Sequence, residues 1–180
     1  MNLSIFTYKT DHPFRFKILK KWIQVGLPIR RLKNTIAHEI HVEIIIRLLE
    51  AIESNNNLSD KQILEIPYNI GREIGNQLKE LLSIDTENAK SIAKIMDFMH
   101  HSMEIKGKTV LGFSNKIAIS IWSKCPVYNQ IKQSKTKIQY CDIQHEIYVG
   151  ILFAINPKAK ARQITRSQAC NHCESKTWIE

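Results

Sequence analysis

The residues able to do chemistry cluster late in this chain: all four cysteines fall between Trp122 and Trp178, and the first 120 residues contain none. Cys125 precedes Pro126, Cys141 opens an apolar segment, and Cys170-Asn171-His172-Cys173 closes the set. A proline suited to a first helical turn would put the Cys125 thiol at the positive end of the peptide dipoles, where thiolate is favoured. Cys141 and His145 are one helical turn apart, so both can address the same point, with Asp142 and Glu146 as the neighbouring pair. Cys170 and Cys173, in an expected turn, have the spacing of half a zinc knuckle. Converging at one point, Cys125, Cys141, Cys170 and Cys173 would make a tetrahedral zinc site, although Cys125 and Cys141 are sixteen residues apart rather than a second close pair. Three readings therefore stay open on the residues alone. The cysteines hold zinc, or they are buried as small hydrophobes, or one of them, Cys125 or Cys141, is a nucleophile with His145 as its base. No Ser-His-Asp signature or paired-carboxylate motif stands out, and six scattered glycines do not cradle a nucleotide.

The chain that must position these groups has 180 residues, which fits one domain with a real core. Hydrophobic residues at 43% and charged residues at 24% are ordinary for a globular protein. No run approaches the roughly 18 apolar residues of a membrane span, and the opening MNLSIFTYKTDHPFRFK has no signal-peptide pattern. The expected location is the cytoplasm, where thiols stay reduced. The net charge of +9 raises nucleic-acid binding. Against it, the basic groups around Lys17, Arg30 and Lys132 are spread out and join no helix-turn-helix or aromatic stacking pair. A small-molecule ligand is the preferred partner.

Hydrophobic period and punctuation give an α+β fold: N-terminal helices packed on a small antiparallel sheet, with one further C-terminal helix. Residues 1–31 read as an arm with a short helix near Phe16–Val25, packing on the domain or available to a partner protein or a second copy, and 32–180 as a single domain. A helix over 34–54, capped by Asn34 or Thr35, has a narrow stripe of Glu39, Glu43, Arg47 and Glu50 and should be buried on most of its circumference. Ser59 to Gln62 is a capping-box pattern, and Pro67 should kink or restart the helix that runs to about Leu82. Gly71 and Gly75 each cost that helix about 1 kcal/mol relative to Ala, so a close contact is expected to compensate. A third helix follows from about Thr86 to His101. The period then changes to two: Glu104–Phe113 and Lys116–Ser123 form a hairpin about Ser114-Asn115, with Ile117, Ile119 and Ile121 on one face and Ala118, Ser120 and Trp122 on the other. A helix from Cys141 to about Ala154 ends before Asn156-Pro157. Lys158–Ala169 and Glu174–Ile179 are the last strands.

His38 and His41 project away from the charged stripe of the 34–54 helix. One reading has them hydrogen-bonded at the core boundary; the other puts both on the wall of a ligand pocket, where imidazole can donate, accept or bind metal.

From the second helix onward, over residues 35–180, the chain resembles the L-2-amino-thiazoline-4-carboxylic acid hydrolase-like family, related in pattern to the 4-vinyl reductase ligand-binding domain. The resemblance rests on Gly71-Arg72-Glu73, Cys125-Pro126, Cys141-Asp142, Gly150, Asn156-Pro157 and the terminal Cys173. It implies an α+β domain with a closed small-molecule pocket between helices and sheet. That pocket would serve ring-opening hydrolysis of a cyclic amidine, or hold a ligand beside a cysteine-bound zinc in a non-enzymatic sensor. Cys141 and Cys173 match the zinc-type cysteines, and Cys125 matches the cysteine of the CP dipeptide. Ser167-Gln168-Ala169 stands where these families carry a glycine-acid pair, and Cys170 sits closer to Cys173 than their pattern has it.

Overall fold

The computed structural model of the chain describes residues 9–24, 30–54, 57–102, 106–123, 133, 137–165 and 172–180. It is α+β. Helices α1 (Pro13–Gln24), α2 (Arg30–Ser54), α3 (Asp60–Leu82) and α4 (Ala89–Ser102) come first. Strands β1 (Lys106–Ser114) and β2 (Ile117–Ser123), helix α5 (Tyr140–Ile155), and strands β3 (Ala159–Thr165) and β4 (His172–Ile179) follow. The four strands form one antiparallel sheet in the order β1-β2-β4-β3. The last strand thus inserts between the first hairpin and its own partner, and α5 supplies the crossover.

Several boundaries differ from the sequence expectation for identifiable reasons. Helix α2 begins at Arg30, so Asn34 and Thr35 lie inside it rather than at its start. The intervening Arg-Arg-Leu-Lys are good helix formers, so the helical pattern extends upstream of the two cap candidates. Helix α3 starts with the expected capping box, Ser59 and Gln62 bonding reciprocally, but it runs unbroken through buried Pro67. Packing of the following turns on α5 holds the two halves in line. Asn88 starts α4, its Oδ1 accepting from the backbone N–H groups of Lys90 at 3.0 Å and Ser91 at 3.3 Å. His172 and Cys173 belong to β4 rather than to a turn, because they pair with Ser123 and Trp122 of β2.

The tightest contact in the fold joins α3 to α5. A Cβ added at Gly75 would stand 2.7 Å from the Ile151 carbonyl oxygen and 2.8 Å from the Ala154 methyl. A Cβ at Gly71 would strike the Ile147 backbone, and one at Gly150 would strike Tyr68 and Arg72. The two helix axes approach as they do only because these three positions have no side chain. The expected compensation for two mid-helix glycines is therefore met on both partners. Around the contact, Ile70, Ile74, Leu78, Ile147, Ile151 and Leu152 form the centre of the core. The rim carries Arg72 over the Phe153 ring at 5.3 Å.

Helix α2 lies on α3 and α4 by one face only. Ile40 and Ile44 are buried, and Arg47 clamps Glu73 of α3 with two bonds of 2.8 and 2.9 Å while its Nε reaches Glu43 at 2.9 Å. The bond to Arg47 holds the Glu73 carboxyl below the usual carboxylate range, against the opposing effect of burial. The expectation that α2 is buried on most of its circumference fails. Val42, Ile45, Ile46 and Leu49 are exposed, because no layer lies beyond this helix among the described residues. Within the 1–31 segment, Phe16 and Leu19 of α1 enter the core, and Lys20 Nζ donates to Ser83 Oγ at 2.9 Å.

Gly71→Ala adds about 1 kcal/mol of intrinsic helix propensity, yet it should lower stability by about 2–3 kcal/mol because the obstructing atoms are backbone. Gly112→Ala, whose Cβ would meet only the flexible Lys90 side chain at 2.9 Å, is the control and should be near neutral. Urea unfolding of both variants checks this; a neutral or stabilised Gly71→Ala would mean that the helices do not touch there.

Candidate functional site

The face of the sheet turned toward the helices is built of small and polar side chains. Directly paired positions form three rungs: Ala118, Thr177 and Ala161; Ser120, Ser175 and Gln163; and Trp122 with Cys173. Ser120 and Thr177 are fully buried and Ser175 is 3% exposed. The isoleucines of β2 (Ile117, Ile119 and Ile121) look the other way and are only half-buried. Small residues are needed on the inner face because two helices lie across it, α4 over the β1–β2 hairpin and α5 toward β3 and β4.

Tyr148 anchors α5 to the sheet through a short hydrogen bond to Thr177. Full burial pushes the Tyr148 phenol well above its ordinary range; the bond to Thr177 works against this, and the nearby charge of Asp97 adds to it. The phenol is therefore a protonated group throughout the physiological range. Asp97, on α4, is itself 2% exposed. Helix α5 and β4 run in the same sense, since Ile155 leads through Asn156 into Ala159, which pairs with Ile179. Four residues of helix rise about 6 Å and two residues of strand about 7 Å. Stepping back from the Tyr148 bond thus sets Gln144 level with Ser175, and Cys141 beyond it on the side of Cys173. At 100° per residue Cys141, Gln144 and Tyr148 share one face of α5.

Between the sheet and the two helices on it there is consequently a polar seam, with α4 over its β2 side and α5 over its β3–β4 side. The Ser120 and Ser175 hydroxyls, the Gln163 Oε1 and the Gln144 Nε2 are buried and have no hydrogen-bond partner among the described residues. A buried polar group left in this state costs about 1–3 kcal/mol. Three of them, Ser120, Ser175 and Gln163, share one rung of the sheet and mark a region built for something other than stability.

At the start of α5 the seam meets the residues singled out from the sequence. Cys141 lies in the first turn, whose N-cap backbone N–H at Gln139 donates to Asp142 at 2.9 Å. His41 of α2 stands against Tyr140, its Nε2 3.0 Å from the hydroxyl and the rings stacked at 6.1 Å. This contact joins α2 to the residue next to Cys141. His145 follows one turn after Cys141 and is half-buried. Glu146 is pushed above the usual carboxylate range, by desolvation first and then by the charge of Asp142. His38 is exposed on α2.

Cys141 and Cys173 are half-buried thiols, neither in a disulfide. Cys125 and Cys170, the other two members of the expected zinc tetrad, lie outside the described residues. Among the described residues no group of three or more His, Cys, Asp or Glu side chains could hold a metal ion. Among them also, no helix is long and apolar enough to cross a membrane.

The seam itself was missed from the sequence, although a signal for it exists. In Cys173-Glu174-Ser175-Lys176-Thr177 the charged residues alternate with small polar ones, which marks the latter as the inner row. Asp97 likewise stands alone among Ile95, Met96, Phe98 and Met99.

No protein-family profile matches the chain, and no curated protein matches it. Among solved structures, it is similar to trafficking protein particle complex subunit 3 from Naegleria fowleri, described as covalently bound to palmitic acid. That alignment covers 82% of this chain and 95% of the other, with a TM-score of 0.49 and 14% identity.

Because the folded-state carboxyl of Glu146 is raised, its ionisation opposes folding at neutral pH, and the penalty disappears as pH falls below its unfolded value. Glu146→Gln should therefore stabilise the protein at pH 7 and leave it unchanged near pH 3. Thermal melts of the two proteins across that range check the sign; a gain that is the same at both pH values would contradict it.

Proposed function

We propose that this chain is a small-molecule domain whose ligand is held in the polar seam between the sheet and helices α4 and α5. One observation carries the reading: the Ser120 and Ser175 hydroxyls are more than nine-tenths buried, face the same rung, and have no hydrogen-bond partner among the described residues. A ligand with donors and acceptors of its own would satisfy these hydroxyls together with Gln163 Oε1 and Gln144 Nε2. The chemistry of that set suits a compact polar molecule carrying an amide or amidine group. Binding of this kind relies on a few placed polar groups within otherwise apolar walls.

Replacing an unsatisfied buried hydroxyl by hydrogen removes a penalty, so the test separates ligand binding from structure. Ser120→Ala/Ser175→Ala should unfold about 1 kcal/mol later than the parent. It should also lose, by tenfold or more, the binding of whichever cyclic amidine or amide in a panel protects the parent in thermal melts. No protection by any member of the panel, or a double variant that is less stable, would count against the seam as a ligand site.

A second reading makes the same site catalytic, as in the hydrolase-like family: ring-opening of a cyclic amidine or amide-like C–N bond. Its support is the placing of Cys141 and His145 one turn apart at the end of the seam, both half-buried. The Cys141 sulfur, its proton passed to His145, would add to the C=N carbon. His145 would return that proton to the ring nitrogen. The bond from the carbon to that nitrogen then breaks as the exocyclic amidine nitrogen forms C=N and passes a proton to it, and water would hydrolyse the resulting imidoyl thioester from sulfur. Cys141→Ser should abolish turnover while leaving ligand protection within about twofold. Turnover that survives in the serine variant would remove the thiol from the chemistry.

A further inference from the structure

The exposed side of α2 carries Val42, Ile45, Ile46 and Leu49, with exposures from 38% to 56%. These positions recur at the spacing of one helix face, so they form a continuous apolar stripe along its second half. Its charges are also arranged against its own dipole. Arg30, Arg31 and Lys33 crowd the N-terminal end with no acidic residue in the first turn, and Glu50 and Glu53 lie toward a C-terminal end that has no basic residue in its last turn. Each end therefore repels the partial charge of its own backbone. Four basic and four acidic residues leave α2 with no net charge, in a chain of net charge +9.

We infer that α2 is the interface for a second copy of this chain, packed antiparallel about a twofold axis near Ile45 and Ile46. That arrangement sets Val42 against the partner's Leu49 and Ile45 against the partner's Ile46, burying the stripe on itself. It sets the basic end of each helix nearest the partner's acidic turns, offset by about 8 Å along the axis in addition to the roughly 8–10 Å between axes. At that separation the attraction is weakened but not removed at physiological salt. The two macrodipoles also run in opposite directions. A self-complementary patch of this kind closes as a dimer. The charge balance of α2 is what lets two chains of the same net sign approach here, and a parallel pairing would set basic end against basic end.

The experiment is sedimentation of the full chain at micromolar concentration, with three variants. The parent should sediment at twice the chain mass, and Ile45→Asp/Ile46→Asp at the single mass with an unchanged circular-dichroism spectrum. Arg30→Glu/Arg31→Glu/Lys33→Glu has two acidic ends, and Glu50→Lys/Glu53→Lys has two basic ends. Each alone should self-associate at least about tenfold more weakly than the parent, and an equimolar mixture should recover the dimer. A monomeric parent overturns the inference, as does a charge variant that dimerises as well as the parent or a mixture that stays monomeric. The mixing arm stands even where the aspartate variant fails to fold. A parent that stays monomeric until another protein is added would assign the stripe to that protein instead.

Discussion

The rest of this structure depends on the approach of α3 to α5 at Gly71, Gly75 and Gly150. With no side chains at these positions, the backbones meet directly, and Ile147 and Ile151 are committed to the α3 side of α5. That commitment decides what the opposite face of α5 can do. Tyr148 turns toward the sheet and bonds to Thr177, and helical spacing puts Gln144 and Cys141 on the same face of α5. Alanine at any of the three glycines would push the helices apart and carry the α5 side of the seam away from its sheet side.

The sheet is fitted to this arrangement by size rather than by hydrophobicity. On β2 the isoleucines face outward and Ala118, Ser120 and Trp122 face the helices, which reverses what transfer energies alone would choose. Alanine and serine allow α4 and α5 to lie close, and the serines leave hydroxyls that the protein itself does not satisfy. Asn156 locks the end of the assembly, its side chain donating to the Thr86 carbonyl at 2.8 Å and accepting from the Lys158 backbone at 2.9 Å. The ends of α5, β3 and the approach to α4 are thus fixed together, and the Cys141 end of the seam lies away from that lock.

Much of this was legible in the sequence because it rests on local rules. The Ser59–Gln62 capping box, the hairpin after residue 104 and the two-residue alternation in β2 all follow from backbone chemistry over a few residues. The Gly71/Gly75 spacing announced a close contact but not its partner, because Gly150 lies far away in the chain. The surface of α2 was misread for a different reason. An apolar composition says that a face will be buried when a layer is present to cover it, and the sequence does not count layers. The site was half legible. Cys141, His145 and His41 were chosen by residue type and lie at one end of α5, whereas Ser120, Ser175 and Gln163 are ordinary polar residues made notable only by their pairing across three strands. The zinc tetrad rests on residue type, the Cys170–Cys173 spacing and a family resemblance, and two of its members, Cys125 and Cys170, lie outside the described residues.

A crystal structure at a resolution that shows ordered solvent would test the seam most directly. The account expects non-protein density, from a small molecule or from ordered water that it would displace, within hydrogen-bonding distance of both Ser120 Oγ and Ser175 Oγ. Two hydroxyls bonded to protein groups, with α5 packed dry against the sheet between Cys141 and Tyr148, would contradict it.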